Sequence, residues 1–166
     1  RRTVTGKWFV KICVEKKDGP KNKNGKAIGI DWNCDDEDFI SMSNGTKIKC
    51  PRFLRKKQKQ LKHYQKEMSR KIVDSNNYLK AKYKVAKLHE KVAWQRKDWL
   101  HKVSRDLANK FEYVIVENVN LQNMAENLHH GKVVGDQGFG MLRQMIAYKT
   151  NLIKVSAKDT SRTCFD

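Results

Sequence analysis

Proline, glycine and acid are scarce in this chain, and each scarcity excludes something. It has 2 prolines and 9 glycines in 166 residues, and neither type occurs between Arg52 and His130. Nothing in that stretch forces a break in a helix, and a collagenous or Pro/Gly-rich disordered chain is excluded. Acids number 18 against 36 Lys and Arg, a formal charge of +18. So lopsided a charge works against a compact monomer by self-repulsion and points to a polyanionic partner, nucleic acid before a membrane surface. The 4 cysteines show no paired spacing, which speaks against a disulfide framework; Cys13, Cys34 and Cys50 read as small packing residues. No apolar run approaches the roughly 20 residues that span a bilayer, and the first residues lack the apolar core of a secretory leader. A soluble, cytoplasmic protein is expected, nucleoid-associated in a prokaryote. With 39% apolar residues in clear periodic patterns, the chain has the means to fold.

Charge divides the chain into three. Arg52 to Lys110 carries 19 bases and 5 acids (19 − 5 = +14), residues 1–51 carry 11 and 7, and residues 111–166 carry 6 of each. The middle segment is helical by its period: Leu54, Leu61 and Met68 recur every seven residues beside Tyr64 and Ile72. After Asp74-Ser75-Asn76-Asn77 the series resumes as Leu79, Ala86, Ala93, Leu100 and Leu107. Two long antiparallel helices are expected, the Asp-Ser-Asn-Asn cluster supplying the turn and an N-cap, and the second running from about residue 78 to 110. The lysine-rich outer faces are either solvated or in contact with nucleic acid. Because a solvated face normally interleaves both signs, contact is the preferred reading. Arg52, Arg55, Lys56, Lys57, Lys59, Lys62, Arg70, Lys71, Arg96 and Lys97 are the candidate binding residues. Tyr78, Tyr83, Trp94 and Trp99 would stack on bases if exposed, with buried packing as the alternative.

The flanks read as strands. Trp8–Val14, Ala27–Asp31, Phe39–Ser43 and Lys47–Cys50 have the composition, and Asn44-Gly45 is a hairpin turn signal. Tyr113–Glu117, a helix near Met141–Tyr148 and a last strand at Leu152–Val155 follow. From Ala27 the order is β-β-β-α-β-α-β. That is the order of the ribonuclease H fold, in which the first and fourth strands lie side by side. Gly29-Ile30-Asp31 and Val114-Ile115-Val116-Glu117 each end an apolar run on one acid. Either acid alone is more simply a turn or cap residue, but two on neighbouring strand ends are placed to hold a divalent metal. His63, His89, His101, His129 and His130 have no metal-ligand spacing and read as surface residues. Asp35 to Asp38 read as an exposed acidic loop, Asp35 or Asp36 being possible outer partners of the site, and Asp136 is a weaker site candidate.

These motifs follow one another as in a known family. Gly29-Ile30-Asp31, Ser43-Asn44-Gly45, Pro51-Arg52, Ser69-Arg70-Lys71, Gln95-Arg96-Lys97-Asp98, Val116-Glu117-Asn118-Val119-Asn120, Gly138-Phe139-Gly140, Tyr148-Lys149 and Thr160-Ser161-Arg162-Thr163-Cys164 together resemble TnpB. This is the transposon-encoded, RNA-guided DNA nuclease family also called OrfB. The resemblance implies an α/β, ribonuclease H-like (RuvC-like) mixed sheet with a long basic helical hairpin inserted after the third strand. Residues 1–26 would be the end of a preceding strand region and a linker, and 27–166 the nuclease domain, with the insertion at 52–110 and the start of a zinc ribbon at 160–166.

The family's catalytic Asp and Glu map onto Asp31 and Glu117, as ligands of Mg²⁺ or Mn²⁺ ions roughly 3.5 to 4 Å apart that cleave DNA by in-line displacement. Its third catalytic Asp lies beyond the ribbon, of which Cys164 would be the first Zn²⁺ ligand. The chain is thus expected to be part of a longer protein and inactive by itself. Guide RNA and target DNA are the implied partners, with no membrane and a monomer favoured. A nuclease-inactive RNA-guided DNA-binding protein and a DNA transposase are the alternatives. Two departures stand out: acids crowd the turn after Asp31, and the family commonly has several more residues between Tyr148-Lys149 and the last strand.

Overall fold

A computed structural model describes residues 2–15, 19, 21–33, 38–118 and 138–156. It divides into two compact units, one formed by Arg1–Gly19 and Arg52–Lys97, the other by Pro20–Pro51 and Asp98–Asp166.

The second unit is built on a mixed sheet of β1 (Ala27–Trp32), β2 (Asp38–Met42), β3 (Lys47–Lys49), β4 (Tyr113–Glu117) and β5 (Asn151–Val155), in the spatial order β3-β2-β1-β4-β5. The three N-terminal strands form an antiparallel meander turned by Asn44-Gly45, where Gly45 takes φ +81 and Met42 N–H donates to Thr46 O at 2.9 Å. β4 and β5 add in parallel, with Ile30 opposite Val116 and Val114 opposite Leu152. As expected, the first and fourth strands are neighbours at the centre.

Alternation along the strands sends Ile28, Ile30, Trp32, Val114 and Val116 to one face. There they pack with Leu100, Val103 and Leu107 of α2 (Asn76–Lys110) and with Phe139, Leu142, Met145 and Ile146 of α3 (Phe139–Lys149). Phe39 sits at the heart of this core, stacked on Phe139 at 5.1 Å and edge-on to Trp99 at 4.7 Å. The passage from α3 into β5 takes one residue. Thr150 is wholly buried, its N–H closes the helix on Ile146 O at 2.9 Å, and its hydroxyl donates to Glu112 O at 2.8 Å. That threonine therefore ties the helix end to the strand pair beside it.

In the first unit, α1 (Phe53–Ser69) and the earlier part of α2 form the expected antiparallel hairpin: Lys84 Nζ lies 3.1 Å from Glu67 Oε1 and 5.9 Å from the Tyr64 ring centre. Ser75 caps α2, its Oγ accepting from Tyr78 N–H at 3.2 Å. The buried residues of α2 in this unit are Ala81, Leu88 and Val92, whereas Leu79 is 48% exposed and Ala93 lies on the outside. A strict seven-residue series thus fails in the first half of the helix. At 3.6 residues per turn the apolar stripe drifts about 20° per heptad and passes to other positions. Trp8–Val14 is also not a strand: the one bridge nearby joins Arg2 to Trp8, and Trp8, Val10, Ile12 and Val14 are all exposed. Its β composition finds no neighbouring strand among the described residues of that unit.

Candidate active site

The register places the two acids together. Ile30 and Val116 are paired and both face the core, so the next residues, Asp31 and Glu117, lie side by side on the opposite face at the carboxyl ends of adjacent parallel strands. Gly29 belongs to this geometry. Its N–H donates to Ser43 Oγ at 3.1 Å, and a Cβ at position 29 would stand only 3.4 Å from the Ser43 Cβ. Across the antiparallel pair, Asp31 is opposite Ser41, whose Oγ accepts from Asn33 Nδ2 at 2.6 Å. A serine in a strand carries no motif, so the sequence alone gives no sign of this Ser41–Asn33 pair beside the acids.

Electrostatics register the proximity. Partial burial, and after it the negative charge of Glu117, hold the Asp31 carboxyl above the ordinary aspartate value of 3.8, against a smaller opposing effect of a Trp32 backbone hydrogen bond. A pair of hard oxygen donors that repel each other suits Mg²⁺ or Mn²⁺, which keep several waters and bind through one or two carboxylates. Among the described residues no third His, Cys, Asp or Glu joins them to make a metal cluster. Asp35, Asp36, Asp136, His129, His130, Cys34 and Cys164 lie outside the described residues. Asp38 opens β2 and pairs with Lys47 at 2.8 Å, away from any loop role.

The candidate binding residues fall mostly on the hairpin surface. Arg55, Lys56, Lys59, Lys62, Arg70, Lys71 and Lys97 are exposed; Arg52, Lys57 and Arg96 are half-buried. Lys56, Lys57, Lys59 and Lys62 make no ion pair with any described carboxylate. Four ammonium groups with no described carboxylate partner leave this helix an excess of positive charge of the kind that attracts a polyanion. Of the aromatic candidates, Trp94 and Tyr83 are 46% and 43% exposed, while Tyr78 and Trp99 are half-buried. Trp94 stacks on Phe9 at 6.1 Å with Lys97 Nζ over its ring. His63 and His89 are exposed as expected, but His101 is half-buried. No helix among the described residues is long and apolar enough to cross a membrane.

Comparison with known proteins adds a family. Residues 11–128 match the OrfB_IS605 family model, described as a probable transposase. A Streptomyces pristinaespiralis protein named "Putative RNA-guided DNA endonuclease" is 32% identical over 89% of this chain and 36% of its own length. An Escherichia coli K12 protein, "Putative RNA-guided DNA endonuclease InsQ", is 27% identical over 96% of this chain and 44% of its own length. The chain thus spans less than half the length of these relatives.

Proposed function

Because this chain belongs to the OrfB_IS605 (TnpB-like) family of probable transposases, we propose that it carries the RuvC-like, ribonuclease H-type core of an RNA-guided DNA endonuclease. The single observation behind the nuclease reading is the pairing of Asp31 and Glu117 on one face of adjacent central strands. In this role Asp31 and Glu117 supply oxygen ligands to Mg²⁺ or Mn²⁺. Such ions, when bound, activate water and stabilise the leaving oxygen of an in-line phosphoryl displacement. The chain's own contribution is to fix both carboxylates on strands rather than loops, so that their separation is set by the sheet. The basic face of α1 would track the phosphate backbone, leaving sequence selection to pairing between guide RNA and target strand.

The test uses the intact protein with its copurifying RNA, a matched plasmid and Mg²⁺. Asp31→Ala and Glu117→Ala are each expected to remove cleavage while leaving guide and target binding largely in place. The double variant should lose no more than either single one, since ligands of one site act as a unit. Cleavage within a few-fold of wild type in either single variant would overturn the assignment.

A further inference from the structure

The sheet unit holds a second polar site, remote from the acidic pair. His101, Lys102, Arg105 and Asp106 of α2 and Tyr148 and Lys149 at the end of α3 line an open cleft of about 570 Å³. The two helices cover the core face of the sheet, whereas Asp31 and Glu117 project from the other face. Lys149 immediately precedes the turn into Asn151, and Asn151 is opposite Tyr113, the first residue of β4. Glu117 is the last residue of β4. The cleft is therefore at the opposite edge as well, four strand steps or roughly 13 Å along.

Three cations line the cleft against one carboxylate. Asp106 is committed to Lys110 at 2.8 Å, and Lys102 to Asp98 at 2.8 Å. Arg105 and Lys149 remain. Neither has a carboxylate partner among the described residues. The Lys149 ammonium is fastened instead to neutral groups: it donates to Ser104 Oγ at 2.6 Å and His101 O at 3.1 Å, with His101 Nδ1 at 3.3 Å. The wholly buried Ser104 hydroxyl in turn donates a hydrogen bond to Leu100 O at 2.7 Å, so Lys149 is held in place by neutral groups. Burial, and after it the nearby positive charge of Arg105, lower the Lys149 pKa. Tyr148 is 56% exposed beside them, its hydroxyl 3.5 Å from His101 Nδ1.

A fixed point charge, a guanidinium with five N–H donors and an exposed aromatic ring together make a receptor for a phosphate group with a base or sugar attached. We propose that Arg105 and Lys149, with Tyr148 at the rim, bind one backbone phosphate of a nucleic-acid strand other than the segment presented to the acidic pair. Choosing a nucleic-acid phosphate over free phosphate rests on the nuclease reading above, and the test separates the two.

The intact protein, freed of RNA and kept in EDTA so that no cleavage is involved, is titrated with fluorescent single-stranded RNA and DNA across a salt series. Photo-crosslinking with iodouracil-substituted oligonucleotides maps contact to Tyr148. Arg105 is exposed and makes no hydrogen bond or ion pair with a described residue that Arg105→Gln would break, so that variant tests binding; circular dichroism checks the fold of it and of the Lys149→Gln/Arg105→Gln double variant. The double variant is expected to bind about tenfold more weakly, with its salt slope reduced by about 0.7, the share of one phosphate that is no longer neutralised on a single strand. The Tyr148 crosslink should disappear, and Arg105→Lys should retain part of the affinity. Unchanged affinity, slope and crosslink in folded Arg105→Gln would overturn the proposal. It would also be overturned if inorganic phosphate, but no oligonucleotide, protected the cleft from chemical modification at Lys149. Neither result depends on whether the acidic pair cuts DNA.

Discussion

Asp31→Asn should make the metal-free protein more stable and, on the proposed function, abolish cleavage by the intact protein. Asp31 and Glu117 stand on the same face of adjacent strands, for which the spacing of about 5 Å sets the scale of their separation. Coulomb's law gives roughly 0.8 kcal/mol of repulsion at that distance in water and about 3.3 kcal/mol at an effective dielectric constant of 20. Asp31 is exposed on its strand, so water weakens the interaction, although at a separation within a Debye length of about 8 Å salt adds little further screening. Solvent therefore screens much of the repulsion, and the expected gain is about 0.5–1 kcal/mol. Its pH dependence has a definite sign. The folded-state pKa of Asp31 is raised, so its contribution to stability is fully present below the ordinary value of 3.8 and is lost as pH rises through the raised folded value. Asparagine removes that loss. Urea unfolding in EDTA should thus show the variant ahead at neutral pH, with the gap closing towards pH 3.8. Mg²⁺ should narrow or invert the neutral-pH gap by stabilising the wild type alone. Equal or lower stability of Asp31→Asn in EDTA at neutral pH would refute the shared-site geometry.

Other perturbations separate the binding surface from the scaffold. Reversing the charge of Lys56, Lys57, Lys59 and Lys62 together should weaken RNA or DNA binding and flatten its salt dependence, as titrations at several ionic strengths will show; an unchanged slope would remove α1 from the interface. Thr150→Val should cost about 1–3 kcal/mol in chemical denaturation, because the hydroxyl shared between Glu112 O at 2.8 Å and Phe111 O at 3.1 Å disappears from a buried site, and Thr150→Ser should recover most of it.

The architecture was legible wherever period and punctuation agreed. The short apolar runs ending at Asp31 and Glu117 specified two core strands, Asn44-Gly45 the hairpin, and the element order, read as that of the ribonuclease H fold, put β1 beside β4. That adjacency in turn made Asp31 and Glu117 neighbours. The stripe of α2 was less legible: a heptad template over 35 residues accumulates phase error, and Leu79 is exposed while Ala81 is buried. Trp8–Val14 shows the reverse failure, β-forming residues without a partner edge, since β-propensity measures fit to a neighbouring surface. Tyr148-Lys149 stood in the sequence as one motif of the resemblance, but nothing there signalled a cleft. His101, Lys102 and Arg105 share one turn of helix, but only the fold sets them against Tyr148 and Lys149, more than forty positions away.

The central parallel pair has a consequence for biosynthesis. Asp31 and Glu117 are 117 − 31 = 86 positions apart, and the whole basic hairpin is translated between them. At about 5–20 residues per second, a ribosome takes roughly 4 to 17 s to cover that interval. In its later part the nascent chain carries its polycationic helices while β1 still lacks the strand that pairs Asp31 with its partner. Contacts so distant in sequence form late, after the local helices. On the proposed function, affinity for nucleic acid would thus precede assembly of the acidic pair during each round of synthesis, and a chain released within the hairpin would lack that pair.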